Sequence, residues 1–273
     1  MPLARIAGRD IFYEIVGSGP PLIISAGQGT GPEARASLVS GLAEHFSVLT
    51  YDQRGTGRSG PAPQGEPIEA LATDIQGLMD AVEWSQGSLM GLSTGTGMAT
   101  AFATHHPNRV KRLVLAAPWT HGSAEFQQIQ RLRQAAARSL DPESYAQFNA
   151  LVLYSPDYRR DHASRLEALA FQARRRPQDV HGIVARLDAI LAFDARPYYP
   201  RIACPTLVMG AQDDLIMPVW FAVEAARAIS DAQLVVLNGG GHMFPESRTS
   251  EFLEAALPFL QGHTLGEGIG DTR

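Results

Sequence analysis

The sequence predicts one α/β domain, a mostly parallel sheet with helices on both faces, interrupted by a helical insertion. Three observations lead there. Apolar strand-like runs alternate with amphipathic stretches through the first 119 residues. The alternation lapses between about Thr120 and Pro200, where helical spacing alone is found. It resumes at Thr206 and continues to Leu260.

Leu3–Ala7 and Ile11–Val16 flank Gly8-Arg9-Asp10 and read as an opening hairpin. Leu22–Ser25 is a short β-branched run that ends in the glycine-rich loop Ala26–Pro32. Glu33–Glu44, Glu66–Glu83 and Thr94–His105 have helical spacing; Phe46–Tyr51, Ser88–Leu92 and Val110–Ala116 are strand-like. In the insertion, Glu125–Ser139, Pro142–Leu153, Ser164–Arg175 and Val180–Ala192 read as helices. Thr206–Met209 and Gln233–Leu237 then read as strands, and Val219–Ile229 and Ser250–Leu260 as helices. The expected division is a core domain of residues 1–119 and 201–261, a helical cap of residues 120–200, and a Gly-rich polar tail of residues 262–273 that frays.

Of the 273 residues 45% are hydrophobic and 19% charged, which allows a sizeable core and excludes global disorder. A net charge of −5 offers no basic excess to nucleic acid or anionic lipid. A small molecule is the expected partner, bound by a monomer or homodimer. The single cysteine, Cys204, can form no internal disulfide, has no metal-ligand partner at a suitable spacing, and reads as a buried, inert thiol. No signal-peptide core follows Met1–Arg5. The uncharged stretches Ile15–Pro32 and Ser85–Thr104 are broken into strand–turn–helix pieces rather than membrane spans. A cytoplasmic protein without cofactor or metal is expected.

The sharpest chemical signal is Gly91-Leu92-Ser93-Thr94-Gly95, a G-x-S-x-G run between a predicted strand and a predicted helix. A strand that turns at once into a helix strains the residue at the bend and leaves no room for side chains two positions away, hence the glycines. The strain lifts Ser93 Oγ clear of the sheet, and the helix start offers unpaired N–H groups to an oxyanion. Gly97 is expected to let the same helix approach a neighbouring strand.

A serine nucleophile needs a base, and the base an orienting acid. With this kind of turn they follow in the order Ser, acid, His. His242 is the candidate base, because it follows a strand and the glycines 239–241 and precedes a helix. His105 and His106 suit a helix C-terminus, His45 and His263 suit the surface, and His121, His162 and His181 fall in the insertion. The acid should leave the strand Thr206–Met209, where Asp213 and Asp214 compete. Asp214, four residues before Pro218, is favoured, with Asp213 as a turn or capping residue. Oxyanion donors are expected from the backbone N–H groups of Thr94 and Gln28, and substrate contacts from Gly27 and Trp119. Tyr51–Ser59 lacks the Gly-Lys-Ser/Thr ending of a phosphate loop and reads as structural, with Asp52 and Arg54 tying the turn together.

Four features in this order, the glycine loop at 27–31, Tyr51–Ser59, the turn at 91–95, and Gly241-His242 after an acid loop at 213–218, resemble the α/β-hydrolase fold superfamily over nearly the whole chain. The resemblance implies an eight-stranded, mostly parallel sheet with a helical cap inserted after the sixth strand. Within the superfamily the chain is similar to small bacterial enol-lactone, carboxylester and aminoacrylate hydrolases, the last through Asp52–Gly57 and Asp213-Asp214-Leu215. It departs from many relatives in having Ala26-Gly27 in place of His-Gly and Leu92 in place of His before the nucleophile. Both departures alter the pocket lining and leave the triad intact.

The expected reaction is hydrolysis of a small ester, lactone, amide or carbamate through an acyl-enzyme on Ser93. Carbon–carbon bond hydrolysis or a lyase reaction on the same triad, a cofactor-free oxygenase, and a non-catalytic ligand receptor remain as alternatives. Eleven arginines against nine acidic residues in the insertion, over an acidic remainder, hint at an anionic substrate.

Overall fold

The structure is a computed structural model that describes residues 2–27, 35–60, 65–175 and 178–263. Eight strands, β1 (Leu3–Ile6), β2 (Arg9–Val16), β3 (Pro21–Ser25), β4 (Ser47–Tyr51), β5 (Gly87–Leu92), β6 (Val110–Ala116), β7 (Thr206–Ala211) and β8 (Ala232–Leu237), form one sheet. Their order is β1-β2-β4-β3-β5-β6-β7-β8. The β1–β2 and β2–β4 pairs are antiparallel, and every other pair is parallel. The parallel strands carry apolar runs rather than alternation (Leu22-Ile23-Ile24, Leu207-Val208-Met209) because helices cover both faces. The opening hairpin turns at Ala7-Gly8, one residue tighter than the sequence suggested, since Arg9 and Asp10 already pair with Ile6 and Arg5.

The core helices are α1 (Ala36–Ala43), α2 (Ile68–Ala81) and α3 (Thr94–His105) in the first half. Between β6 and β7 lie α4 (Ala124–Ser139), α5 (Pro142–Leu153), α6 (Pro156–Asp161), α7 (Ala163–Ala173) and α8 (Val180–Ala192), and after β7 come α9 (Val219–Ala228), α10 (Phe244–Ser247) and α11 (Thr249–Gln261). The short helices α6 and α10 escaped the sequence reading because one or two turns show no periodicity. Four helices of the insertion start on side-chain caps: Ser123, Asp141, Ser155 and Asp179 each accept a backbone N–H of the first turn. Proline occupies the first helical position of α5 and α6. These local signals explain why the insertion was legible as helix. Gly262, at φ 98°, terminates α11 where the polar tail was expected to begin; residues 264–273 lie outside those described.

The strand order sets where a site can form. β3 pairs with β4 on one side and β5 on the other, so the connections run to opposite sides of the sheet there. Crevices open at the carboxyl ends of strands at such a reversal. Among the described residues, no helix is long and apolar enough to cross a membrane.

Arg54 does not tie its own turn, as the sequence reading had it. Its guanidinium is buried against α2, donating to Asp74 from Nε at 2.8 Å and Nη2 at 2.5 Å, with further bonds to Thr73 and Glu66. Asp52 does hold the turn, accepting the Arg58 backbone N–H at 2.9 Å. Removing one partner of a buried pair leaves the other charge stranded. Asp74→Ala should therefore lower stability by about 3 kcal/mol in urea unfolding, softened by the remaining bond to Glu66. Burial pushes the Cys204 thiol up to about 11. The reactive thiolate is then scarce at pH 8, so iodoacetamide should alkylate Cys204 only after unfolding, as mass spectrometry would record.

Candidate active site

Ser93 sits between the last residue of β5 and the first of α3, with φ 52° and ψ −120°. A non-glycine residue pays steric strain there, and the surroundings must hold it in place. Ser93 N–H donates to Ala116 O at 2.8 Å across to β6, and Thr96 N–H donates to Ser93 O at 2.8 Å to close the first turn of α3. The two flanking glycines serve different neighbours. A Cβ on Gly91 would stand 2.7 Å from Gly95 O and Thr96 Cα, whereas one on Gly95 would overlap the Ser25 carbonyl of β3. The turn at Ser93 is thus wedged against the adjacent strand. Gly97 faces Trp119 and Ile68 side chains rather than a strand.

His242 arrives from the far edge of the sheet. The glycines 239–241 all have positive φ, and Asp213 Oδ1 accepts the Gly241 N–H at 2.8 Å to anchor the loop. The loop is also stitched to the insertion by a bridge between Gly241 and Tyr154 and by Met243 N–H donating to Leu153 O at 3.0 Å. His242 Nε2 lies 2.8 Å from Ser93 Oγ, and Nδ1 lies 2.9 Å from Asp214 Oδ2 and 3.1 Å from Oδ1. Asp214 Oδ1 also accepts the N–H groups of Ile216 and Met217 at 2.8 and 2.9 Å. A carboxylate only accepts, so Nδ1 carries a proton toward Asp214, and in the neutral tautomer that fits this bond Nε2 accepts from the Ser93 hydroxyl. The structure brings Asp214, not Asp213, to the imidazole.

A cavity of about 250 Å³ opens over this row, lined by Gly27, Leu92, Ser93, Thr94 and His242 from the sheet edge and by residues of the insertion. Gly27 stands so close that an added Cβ would be 2.9 Å from Ser93 Cβ. Gln53 Nε2 donates to Ala26 O at 2.7 Å and fixes the backbone there. Thr94 is the first residue of α3, where a helix leaves N–H groups without intrahelical partners. Gln28, the other expected oxyanion donor, lies outside the described residues.

Trp119 does not line this cavity. It is 1% exposed, donates from Nε1 to Ile190 O at 3.1 Å and packs on Phe126 and Phe193, so it joins β6 to the insertion as a core residue. Position alone, just past a strand end, made it look like a substrate contact. His121 packs on Trp220 and Phe221, and neither it nor His181 lines the cavity.

Sequence reasoning missed Arg35, Arg133, Tyr154, Arg165 and Glu246, which also line the cavity. For Arg133 a signal existed. The buried residues of α4 are Phe126, Gln130, Arg133, Gln134 and Ala137, one helical stripe in which three polar residues face inward. Apolar Leu132, on the same helix, is exposed. Arg165 and Tyr154 both bond Glu246, at 2.6 and 2.7 Å. Next to this carboxylate, and buried, the Tyr154 hydroxyl is pushed far above its ordinary value, burial being the larger cause.

The sequence profile of the alpha/beta hydrolase fold matches residues 20–249. The chain belongs to the α/β-hydrolase fold family. Within that family it is 29% identical over 259 residues to a protein of Azorhizobium caulinodans named as a carbamate hydrolase, RutD, covering 95% of this chain and 98% of that one. The enol-lactonase of Burkholderia xenovorans LB400 superposes with a TM-score of 0.85 at 30% identity, covering 95% of this chain and 100% of its own. A thermophilic esterase from Thermogutta terrifontis, in a malate-bound structure, superposes with a TM-score of 0.83 at 25% identity, covering 96% of this chain and 99% of its own. The expectations of an α/β-hydrolase fold and of a hydrolase agree with these relatives.

Because a side chain at 95 would meet the backbone of β3 rather than a movable side chain, Gly95→Ala should cost about 3 kcal/mol or fail to fold, measured by urea unfolding.

Proposed function

We propose that this chain is a serine-dependent hydrolase of a small-molecule ester, lactone, amide or carbamate, working through an acyl-enzyme intermediate. The observation that carries the reading is the hydrogen-bonded row Ser93–His242–Asp214 beneath a cavity. The names of the related proteins, a carbamate hydrolase, an enol-lactonase and an esterase, support a small carbonyl substrate.

The substrate carbonyl enters over Ser93, between the sheet edge and a cap formed by residues 120–200. His242 Nε2 takes the hydroxyl proton as Ser93 Oγ attacks, and the imidazolium that forms is offset by Asp214. The Thr94 N–H, at the positive end of α3, stabilises the oxyanion. His242 returns the proton to the leaving group, then activates water to release the acyl group. Gly27 lets the carbonyl approach the strand end, and Asp213 holds the His242 loop without taking part in proton transfer. An anionic substrate is part of the same proposal.

The adjacent aspartates provide the test. Ser93→Ala should lower kcat on an activated aryl ester by about 10⁴- to 10⁶-fold, and Asp214→Ala by about 10⁴-fold. Asp213→Ala should cost about 100-fold less than Asp214→Ala, since it loosens a loop rather than removing a proton-transfer partner. Near-normal turnover by Ser93→Ala would end this reading, and equal losses at 213 and 214 would end the division of labour.

A further inference from the structure

Arg133 projects from the buried stripe of α4 into the cavity that holds Ser93 and His242, yet its residue exposure is only 8%. A buried guanidinium costs several kcal/mol unless acceptors surround it. Arg133 is poorly supplied. Nη1 donates to Gln130 Oε1 at 2.9 Å, and Nε has no hydrogen-bond partner. Among the described residues no Asp or Glu lies within ion-pair distance of it. Asp214 acts on it only at longer range, and the Asp214 oxygens already accept from His242, Ile216 and Met217. The other two arginines of the cavity face acids: Arg165 bonds Glu246 at 2.6 Å, and Arg35 lies 3.9 Å from Asp52. Burial pulls the Arg133 guanidinium below its ordinary value, outweighing the opposite pull of Tyr145 and Asp214.

We propose that the substrate carries a free carboxylate besides the bond that is cleaved, and that Arg133 binds this carboxylate. The proposal rests on the serine-hydrolase reading and deepens it. A guanidinium presents a planar fork of N–H donors that matches a carboxylate, and Nε is among them. Leu38, Leu153, Leu169, Ile190 and Met217 give the same cavity apolar lining, a medium that strengthens such a pair. A purely structural arginine would be expected to spend its donors on backbone carbonyls or a carboxylate of the fold. This one lines the cavity and leaves Nε without a partner. It therefore selects substrates by charge, holding the acid end so that the carbonyl lies over Ser93.

The test uses aryl monoesters of succinic, glutaric and adipic acid, each compared with the same ester whose terminal carboxylate is replaced by a carboxamide. The wild-type enzyme should favour at least one acid over its amide by about 30-fold or more in kcat/KM, mostly through KM. In Arg133→Met, an apolar replacement of similar length, that ratio should fall at least about tenfold. It should stay unchanged in Arg131→Met, whose arginine is exposed on the same helix. If Arg133→Met does not fold, the wild type still decides: free dicarboxylates should inhibit amide-ester hydrolysis, and the corresponding diamides should not. Hydrolysis of the amide esters with no preference for any acid overturns this inference and leaves the serine-hydrolase reading standing. So does a preference that survives in a folded Arg133→Met. Failure of the wild type to hydrolyse any of these esters overturns both.

Discussion

Everything at the carboxyl edge of this sheet depends on one strained residue. Ser93 holds a positive φ at the junction of β5 and α3, a conformation that costs on the order of 1–3 kcal/mol. The cost is met by a bond from its N–H to Ala116 O and by the closeness of α3 to β3 that Gly95 permits. In return Ser93 Oγ stands clear of the sheet, beside the start of a helix whose amide dipoles point at it. Relaxing that bend would take the hydroxyl away from the imidazole and from the positive helix end together.

The remaining groups reach Ser93 from distant parts of the chain. Asp214 follows β7 and the imidazole follows β8, and the neighbouring aspartates bond different partners. Asp214 points inward, its carboxylate held by two backbone N–H groups, and so is rigid when it meets His242. Asp213 turns to the Gly241 N–H and fixes the loop that carries His242. The insertion is part of the same assembly, because Leu153 and Tyr154 pair with that loop. Tyr154 and Arg165 then converge on Glu246 just beyond it. These contacts tie the insertion to the loop that carries His242.

Much of this was legible in the sequence where local rules operate. The bounds of α3, α5, α8 and β6 follow from apolar spacing and from caps such as Asp141 and Asp179, and the structure has them at the expected residues. The strand–Ser–helix turn follows from its glycines. The cavity lining was not legible, because it depends on how helices of the insertion rotate over the sheet. Leu132 is apolar and exposed, while Arg133, beside it, is polar and buried. Trp119 was misplaced for the same reason: its distance from the strand end was right, but its ring turns into the core toward Ile190. Arg54 looks like a local tether in sequence, whereas its main partner, Asp74, lies twenty residues on in α2.

The central claim is that His242 is the base that makes Ser93 nucleophilic. Intact-mass measurement after exposure to a fluorophosphonate addresses it most directly, with peptide mapping of the adduct. The account predicts a single phosphonyl adduct on Ser93, formed rapidly by the native enzyme and at least about 10³-fold more slowly by His242→Ala. An adduct on another residue, or equal labelling rates with and without His242, would contradict it.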